Sequence, residues 1–208
     1  MEISFYNEFK RKATHLVALA IPIGYFFLDK LLSLVILVPF ALGSIVTDII
    51  RLKRLPLHGL LNRLIGPVLR EHEESDFTGS SYILTASVLS IALFDKSVAI
   101  AAISFIILGD IAAALIGRRY GRLKINLRLA HSNIHTGLSL RKNKTFEGSF
   151  ACLFMCLLVA LIVPGLPLWI GVVGAFIATV VEGITFPVDD NFSVPLISGL
   201  VMQILVRM

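Results

Sequence analysis

Apolar residues fill long, nearly uninterrupted stretches of this chain, and the polar positions between them come in clusters rather than in alternation. A helix needs roughly 20 mostly apolar residues to cross a bilayer. Against that length, the candidate spans are 13–28, 31–50, 79–94, 97–117, 147–163, 167–184 and 192–206. Several are short, which predicts a thin or tilted bundle. On one side the connections are only turns: Asp29-Lys30, Asp95-Lys96 and Pro164-Gly165-Leu166-Pro167. On the other side they run over 51–78, 118–146 and 185–191, which leaves that side alone with room for a site. Within 51–78, Leu57, Leu60, Leu61, Leu64, Ile65, Val68 and Leu69 recur at three- and four-residue spacing, with His58, Asn62 and Arg63 opposite. That period predicts a helix lying in the membrane interface, broken near Gly66-Pro67. Within 118–146, Leu123, Ile125, Leu127 and Leu129 alternate with Lys124, Asn126 and Arg128, a two-residue period that suggests a short strand or hairpin.

Composition turns this pattern into a solvent assignment. With 56% hydrophobic and only 16% charged residues among 208, there is too little polar surface to cover a water-soluble globule. The fold class expected is an all-α integral membrane protein of about seven transmembrane helices, residues 1–208 forming a single transmembrane domain. The first apolar stretch lacks a small-residue cleavage site and runs at once into a second, so it reads as a retained helix rather than a signal peptide. Of the nineteen Lys and Arg residues, all except Lys30, Lys96 and Arg207 fall on the side of the N-terminus and the long connections. Basic residues stay on the cytoplasmic side of short loops, so the expected topology has the N-terminus inside and the site on the cytoplasmic face. The net charge of +5 then reads as membrane anchoring and anion binding, and no nucleic acid is expected as a partner. Cys152 and Cys156 lie four apart in one apolar helix and read as small buried hydrophobes.

Ionisable residues inside or at the ends of spans are costly, and here they gather at the inner ends: His15, Asp48, Asp110, Glu147, Glu182, Asp189, Asp190 and the adjacent Asn191. Asp110 lies about two turns deeper than Arg118, about 10 Å by helical rise, among apolar neighbours such as Leu108 and Ile111. A carboxylate at that depth calls for a cation, a metal or a proton. Ala113, Ala114, Gly117 and Gly121 share its stripe, which serves either close helix packing or a backbone cleft beside the carboxylate. The run Lys142-Asn143-Lys144-Thr145-Phe146-Glu147-Gly148-Ser149 joins basic residues, hydroxyls and a glycine to the free N–H groups of a helix start. It reads equally as an anion site and as a positively charged loop end capped by Thr145. Carboxylates with Lys and Arg around one pocket suit phosphoryl or nucleotidyl transfer, where oxygen ligands hold a divalent ion and cations offset phosphate charge. No Walker loop, soluble-kinase glycine loop or serine nucleophile elbow is present.

Arg11-Lys12-x-x-His15, Gly109-Asp110 with Ala113, Gly117 and Gly121, Lys144-Thr-x-Glu147-Gly148-Ser149, and Glu182 followed by Asp189-Asp190-Asn191 and Pro195 together resemble the membrane-embedded lipid kinases. That family comprises dolichol kinase, phytol kinase and the CTP-dependent diacylglycerol kinase, and is similar to the CDP-diacylglycerol synthases. The resemblance implies CTP as donor, Mg²⁺ as cofactor, and a membrane lipid alcohol as acceptor: phytol, a prenol, a polyprenol or dolichol, or diacylglycerol. It implies Asp110 and His15 as catalytic residues, and Asp110, Glu147 and Asp190 as metal ligands. Arg11, Lys12, Gly117, Arg118, Gly121, Lys144, Thr145, Gly148 and Ser149 would bind the nucleotide, with Asp48, Glu182, Asp189 and Asn191 as further site candidates. The stretch from Gly121 to Lys144 is longer than the family pattern implies, and the chain is shorter than the eukaryotic dolichol kinases. The latter points to a minimal enzyme of a prokaryotic plasma membrane, and homo-oligomerisation is left open. Two other readings stand beside the kinase. One is a phosphatidate cytidylyltransferase-like enzyme attacking the α-phosphate; the other is a small transporter, disfavoured because its site belongs nearer the midplane.

Overall fold

The computed structural model describes residues 15–65, 76–123, 139–140, 144–185 and 188–208. Helices lie over every stretch that the apolar pattern marks. They are α1 (Ala20–Phe27, preceded by a turn from His15), α2 (Lys30–Leu52), α3 (His58–Ile65), α4 (Gly79–Leu93), α5 (Lys96–Tyr120), α6 (Phe146–Ile162), α7 (Leu168–Gly183) and α8 (Asp190–Arg207). Two of them, α2 with 23 residues and α5 with 25, are long and apolar enough to cross a membrane. The amphipathic helix expected after residue 57 is α3, whose expected break at Gly66-Pro67 lies outside the described residues. The alternating stretch from 124 to 129 also lies outside them; among the described residues the strand content is β1 (Ser139–Leu140) paired antiparallel with β2 (Ile184–Thr185).

Side-chain oxygens start several of these helices by satisfying N–H groups left free in the first turn. Asp29 accepts from the N–H of Leu32 at 2.9 Å, Thr78 from Ser81, Thr145 from Gly148 at 3.2 Å, and Asp189 from Asn191 at 2.9 Å. At the end away from the long connections, two lysines close neighbouring helices reciprocally. Lys30 donates to the carbonyl of Ala92 at the end of α4, and Lys96 to that of Leu28 at the end of α1. Each ammonium thus meets the negative end of a helix and a carbonyl with no partner in its own helix. Gln203 and Asp95 lock the same end, with the amide of Gln203 both accepting from Asp95 N–H (2.7 Å) and donating to its carboxylate (3.0 Å).

Helix α5 is the hub and packs against α1, α4, α6, α7 and α8. Its outer half is buried almost without interruption from Val98 to Ile107. By contrast α2 leans on α3 and α4 and exposes Leu31, Val35, Phe40 and Val46, an outward apolar face that water would not stabilise. Small residues set the helix spacing: a Cβ on Gly171 would meet that of Ala160 at 2.7 Å, and one on Gly199 would meet the ring of Phe94. Where lipid surrounds a bundle, such close approach supplies the dispersion contact that hydrophobic transfer supplies in water.

Gly171→Val should therefore destabilise the bundle by about 1–3 kcal/mol, whereas Gly43→Ala, with open space around its Cβ, should gain about 0.5–1 kcal/mol of helix propensity. Thermal unfolding in detergent would read both.

Candidate functional site

The inner ends of three helices bring carboxylates to one point. Asp110 comes from the inner part of α5, Glu182 from the last turn of α7, and Asp190 opens α8. One oxygen from each lies within 4.8 Å of the others. Three like charges this close cannot all stay ionised without a cation among them, and a lysine and a histidine lie beside them. Lys144, just before the cap of α6, ion-pairs with Glu182 Oε1, and His15 Nε2 lies 3.8 Å from Asp110 Oδ2. Glu182 is 2% exposed, and its Oε2 has no hydrogen-bond partner among the described residues.

The turn into α8 is organised by Asp189. Its Oδ1 accepts from both the backbone N–H (2.9 Å) and the side-chain Nδ2 (2.8 Å) of Asn191. This orients the Asn191 amide, and its buried Oδ1 has no hydrogen-bond partner among the described residues. The three carboxylates of Asp110, Glu182 and Asp190 form an all-oxygen donor set of the kind hard divalent cations take.

The other residues singled out from sequence are placed differently. Glu147 is not part of this cluster: its carboxylate accepts from the backbone N–H groups of Arg122 (3.0 Å) and Leu123 (3.2 Å) and so holds the exit of α5 against the start of α6. Phe146 N–H donates to Leu123 O at the same joint. Gly117, Gly121, Thr145 and Gly148 form the close crossing of α5 and α6. A Cβ on Gly148 would meet Ala113 O at 2.9 Å, and one on Gly117 would meet Thr145 Oγ1 at 3.0 Å. The small-residue stripe is therefore filled by packing rather than open as a cleft, and the N–H of Gly148 is already spent on Thr145. Arg118 is exposed and Ser149 partly exposed at this end; Arg11 and Lys12 lie outside the described residues.

Asp48 is a buried junction. It accepts from Thr78 N–H (2.9 Å), Thr78 Oγ1 (3.0 Å) and Ser81 Oγ (2.5 Å), and pairs with the buried Arg51 at 3.2 Å. Arg51 also donates to Asp76 O. The group joins α2 to the start of α4, and every oxygen of Asp48 is engaged within the protein.

Sequence reading ranked Glu182 below Glu147 as a ligand and missed the pairing of Lys144 with Glu182. The signal available was depth: Glu182 ends an apolar helix, as Asp110 sits within one, whereas Glu147 stands in a first turn where an acid has a capping role.

No protein-family model and no solved structure matches this chain. In alignments that cover 78% and 76% of its length, it is 25% identical to the CTP-dependent diacylglycerol kinase 1 of Saccharomyces cerevisiae and 24% identical to the protein of that name from Eremothecium gossypii. It spans only 60% and 54% of those two proteins. It is also 25% identical over 202 residues to the uncharacterized protein RP860 of Rickettsia prowazekii, covering 91% of this chain and 90% of that one.

Replacing Asp48 with Ala would strip three hydrogen bonds and an ion pair from a buried junction, so Asp48→Ala should cost about 3–5 kcal/mol. A thermal melt in detergent would measure it, and a loss below about 1 kcal/mol would return Asp48 to the list of functional candidates.

Proposed function

We propose that this chain is a CTP-dependent kinase of a membrane lipid alcohol, working at the cytoplasmic face of the membrane. The observation that carries the reading is the convergence of Asp110, Glu182 and Asp190 within 4.8 Å, with Lys144 and His15 beside them. The likeness to two fungal CTP-dependent diacylglycerol kinases supports CTP as donor and a lipid as acceptor. In this reading the seven apolar helices cross the bilayer with the N-terminus inside, an arrangement supported by the apolar exterior and by the basic residues collected on one side.

Asp110, Glu182 and Asp190, with Asn191 Oδ1 near Asp190, are the residues that would hold Mg²⁺. The bound ion would supply charge neutralisation for the phosphate oxygens. Lys144, Arg118 and Ser149, joined by Arg11 and Lys12 from the N-terminal segment, would contact the triphosphate. Gly117, Gly121, Thr145 and Gly148 would act indirectly, by holding α5 and α6 close enough for Lys144 to reach the carboxylates. Glu147 would fix the loop between the two helices.

The acceptor hydroxyl, of diacylglycerol or of an isoprenoid alcohol, enters from the inner leaflet. Asp110 takes its proton as the oxygen bonds to the γ-phosphorus; the bond from that phosphorus to the β,γ-bridging oxygen breaks, and CDP leaves. His15, against the outer oxygen of Asp110, orients that carboxylate. Because the site sits at helix ends behind an apolar wall, the lipid can present its hydroxyl without leaving the membrane.

The test is transfer of label from γ-labelled CTP, with ATP in parallel, to diacylglycerol and a panel of prenols. Label in a lipid phosphate is the expected result. Pyrophosphate release on addition of phosphatidate, with no labelled lipid, would replace the kinase by a cytidylyltransferase. Asp110→Asn should lower turnover by about 10²–10⁴-fold while the protein stays monodisperse in detergent, and retained activity would remove Asp110 from the chemistry.

A further inference from the structure

Two buried carboxylates among the described residues, Asp48 and Glu182, are compensated in opposite ways. Asp48 is held by three hydrogen bonds and an arginine, all within the protein. Glu182, equally buried, has a lysine on Oε1 and, among the described residues, no hydrogen bond to Oε2. An arrangement like that around Asp48 is permanent, because each lone pair has a fixed partner. A carboxylate balanced by one ammonium on a flexible stem is exchangeable, because another cation of higher charge can take the same oxygens.

Lys144 is well placed for such an exchange. It directly precedes Thr145, whose side chain caps α6, so its backbone is anchored while the ammonium sits at the end of a four-carbon stem. The antiparallel pairing of Leu140 with Ile184 ties the segment before Lys144 to the segment after Glu182. Both ends of the ion pair are thus held together by backbone as well as by charge. The side chain of Lys144 is 18% exposed against 2% for Glu182, so the lysine faces the opening of the cluster and the carboxylate its floor.

We propose that Lys144 is the internal counter-cation of the carboxylate cluster: it neutralises Glu182 while no divalent ion is bound, competes with the ion for that carboxylate, and passes to the nucleotide phosphates when displaced. This rests on the kinase reading for its last step only. The first two steps concern the chain alone. One consequence is ordered loading, in which the divalent ion and the nucleotide bind well together and each binds poorly alone. The ion releases the ammonium that the phosphates need, and the phosphates give the released ammonium a new partner. A site so arranged avoids an empty cluster of three unmatched carboxylates at a helix-bundle interior.

The experiment is a titration with Mn²⁺, followed by the electron paramagnetic resonance of the free ion, on purified nucleotide-free protein in detergent. Wild type, Lys144→Met and Lys144→Arg are compared, and label transfer from CTP is measured on the same wild-type preparation. Lys144→Met should bind Mn²⁺ about tenfold more tightly than wild type, since the competing charge is gone, and should bind CTP more weakly. Lys144→Arg, with its two-pronged grip on a carboxylate, should bind Mn²⁺ several-fold more weakly than wild type. Unchanged or weaker Mn²⁺ binding in folded Lys144→Met would overturn the proposal. Should that variant fail to fold, equal or tighter binding by Lys144→Arg would overturn it instead. Lipid phosphorylation by wild type with no gain of Mn²⁺ affinity in Lys144→Met would remove the counter-cation role and leave the kinase reading intact. Tightened Mn²⁺ binding without lipid phosphorylation would do the reverse.

Discussion

Putting three carboxylates at one end of an apolar bundle is the constraint around which the rest of this structure is arranged. Asp110, Glu182 and Asp190 come from three different helices and meet within 4.8 Å. In a medium of low dielectric their repulsion would drive the helix ends apart unless positive charge were supplied in place. Lys144 supplies it from a further segment and His15 closes on Asp110 from another, so five separate parts of the chain meet in one small region.

That balance depends on helix spacing, and helix spacing depends on small residues. Gly117 and Gly148 let α5 and α6 cross with almost no side chain between them, and Gly109 does the same against Cys152 and Cys156. The crossing fixes Thr145, and Thr145 fixes the position from which Lys144 reaches Glu182. Glycine therefore acts on the site at one remove: it shapes the packing that places the charge. The opposite end of the bundle carries a matching set of restraints, in Lys30, Lys96 and the pairing of Gln203 with Asp95, which tie neighbouring helix ends to one another.

The structure also separates two kinds of buried acid that resemble each other on paper. Asp48 and Glu182 each end an apolar helix on the same side of the bundle. One is saturated by hydroxyls, a backbone N–H and an arginine and serves as a joint; the other keeps an oxygen without a hydrogen-bond partner and faces a cluster of acids. The second has more to offer a cation, because a lone pair already engaged in a short hydrogen bond has little left to give.

Read by itself, the sequence determined the apolar helices, their approximate bounds, the turns that join them on one side and the side on which polar chemistry collects. Those follow from local properties, since hydrophobic runs, caps such as Thr145 and Asp189, and Pro and Gly punctuation act within a few residues of where they stand. Asp110 was legible for the same reason: a lone acid deep in an apolar helix is an anomaly visible without a neighbour. The partners were decided by tertiary structure alone. Whether Glu147 or Glu182 joins Asp110 and Asp190, whether the small-residue stripe stays open or is filled by α6, and which acid Lys144 neutralises all depend on how the helices are rotated and spaced. A rotation of one residue in a helix turns a side chain by about 100°, and that angle is set by packing against helices distant in sequence, which no local pattern records.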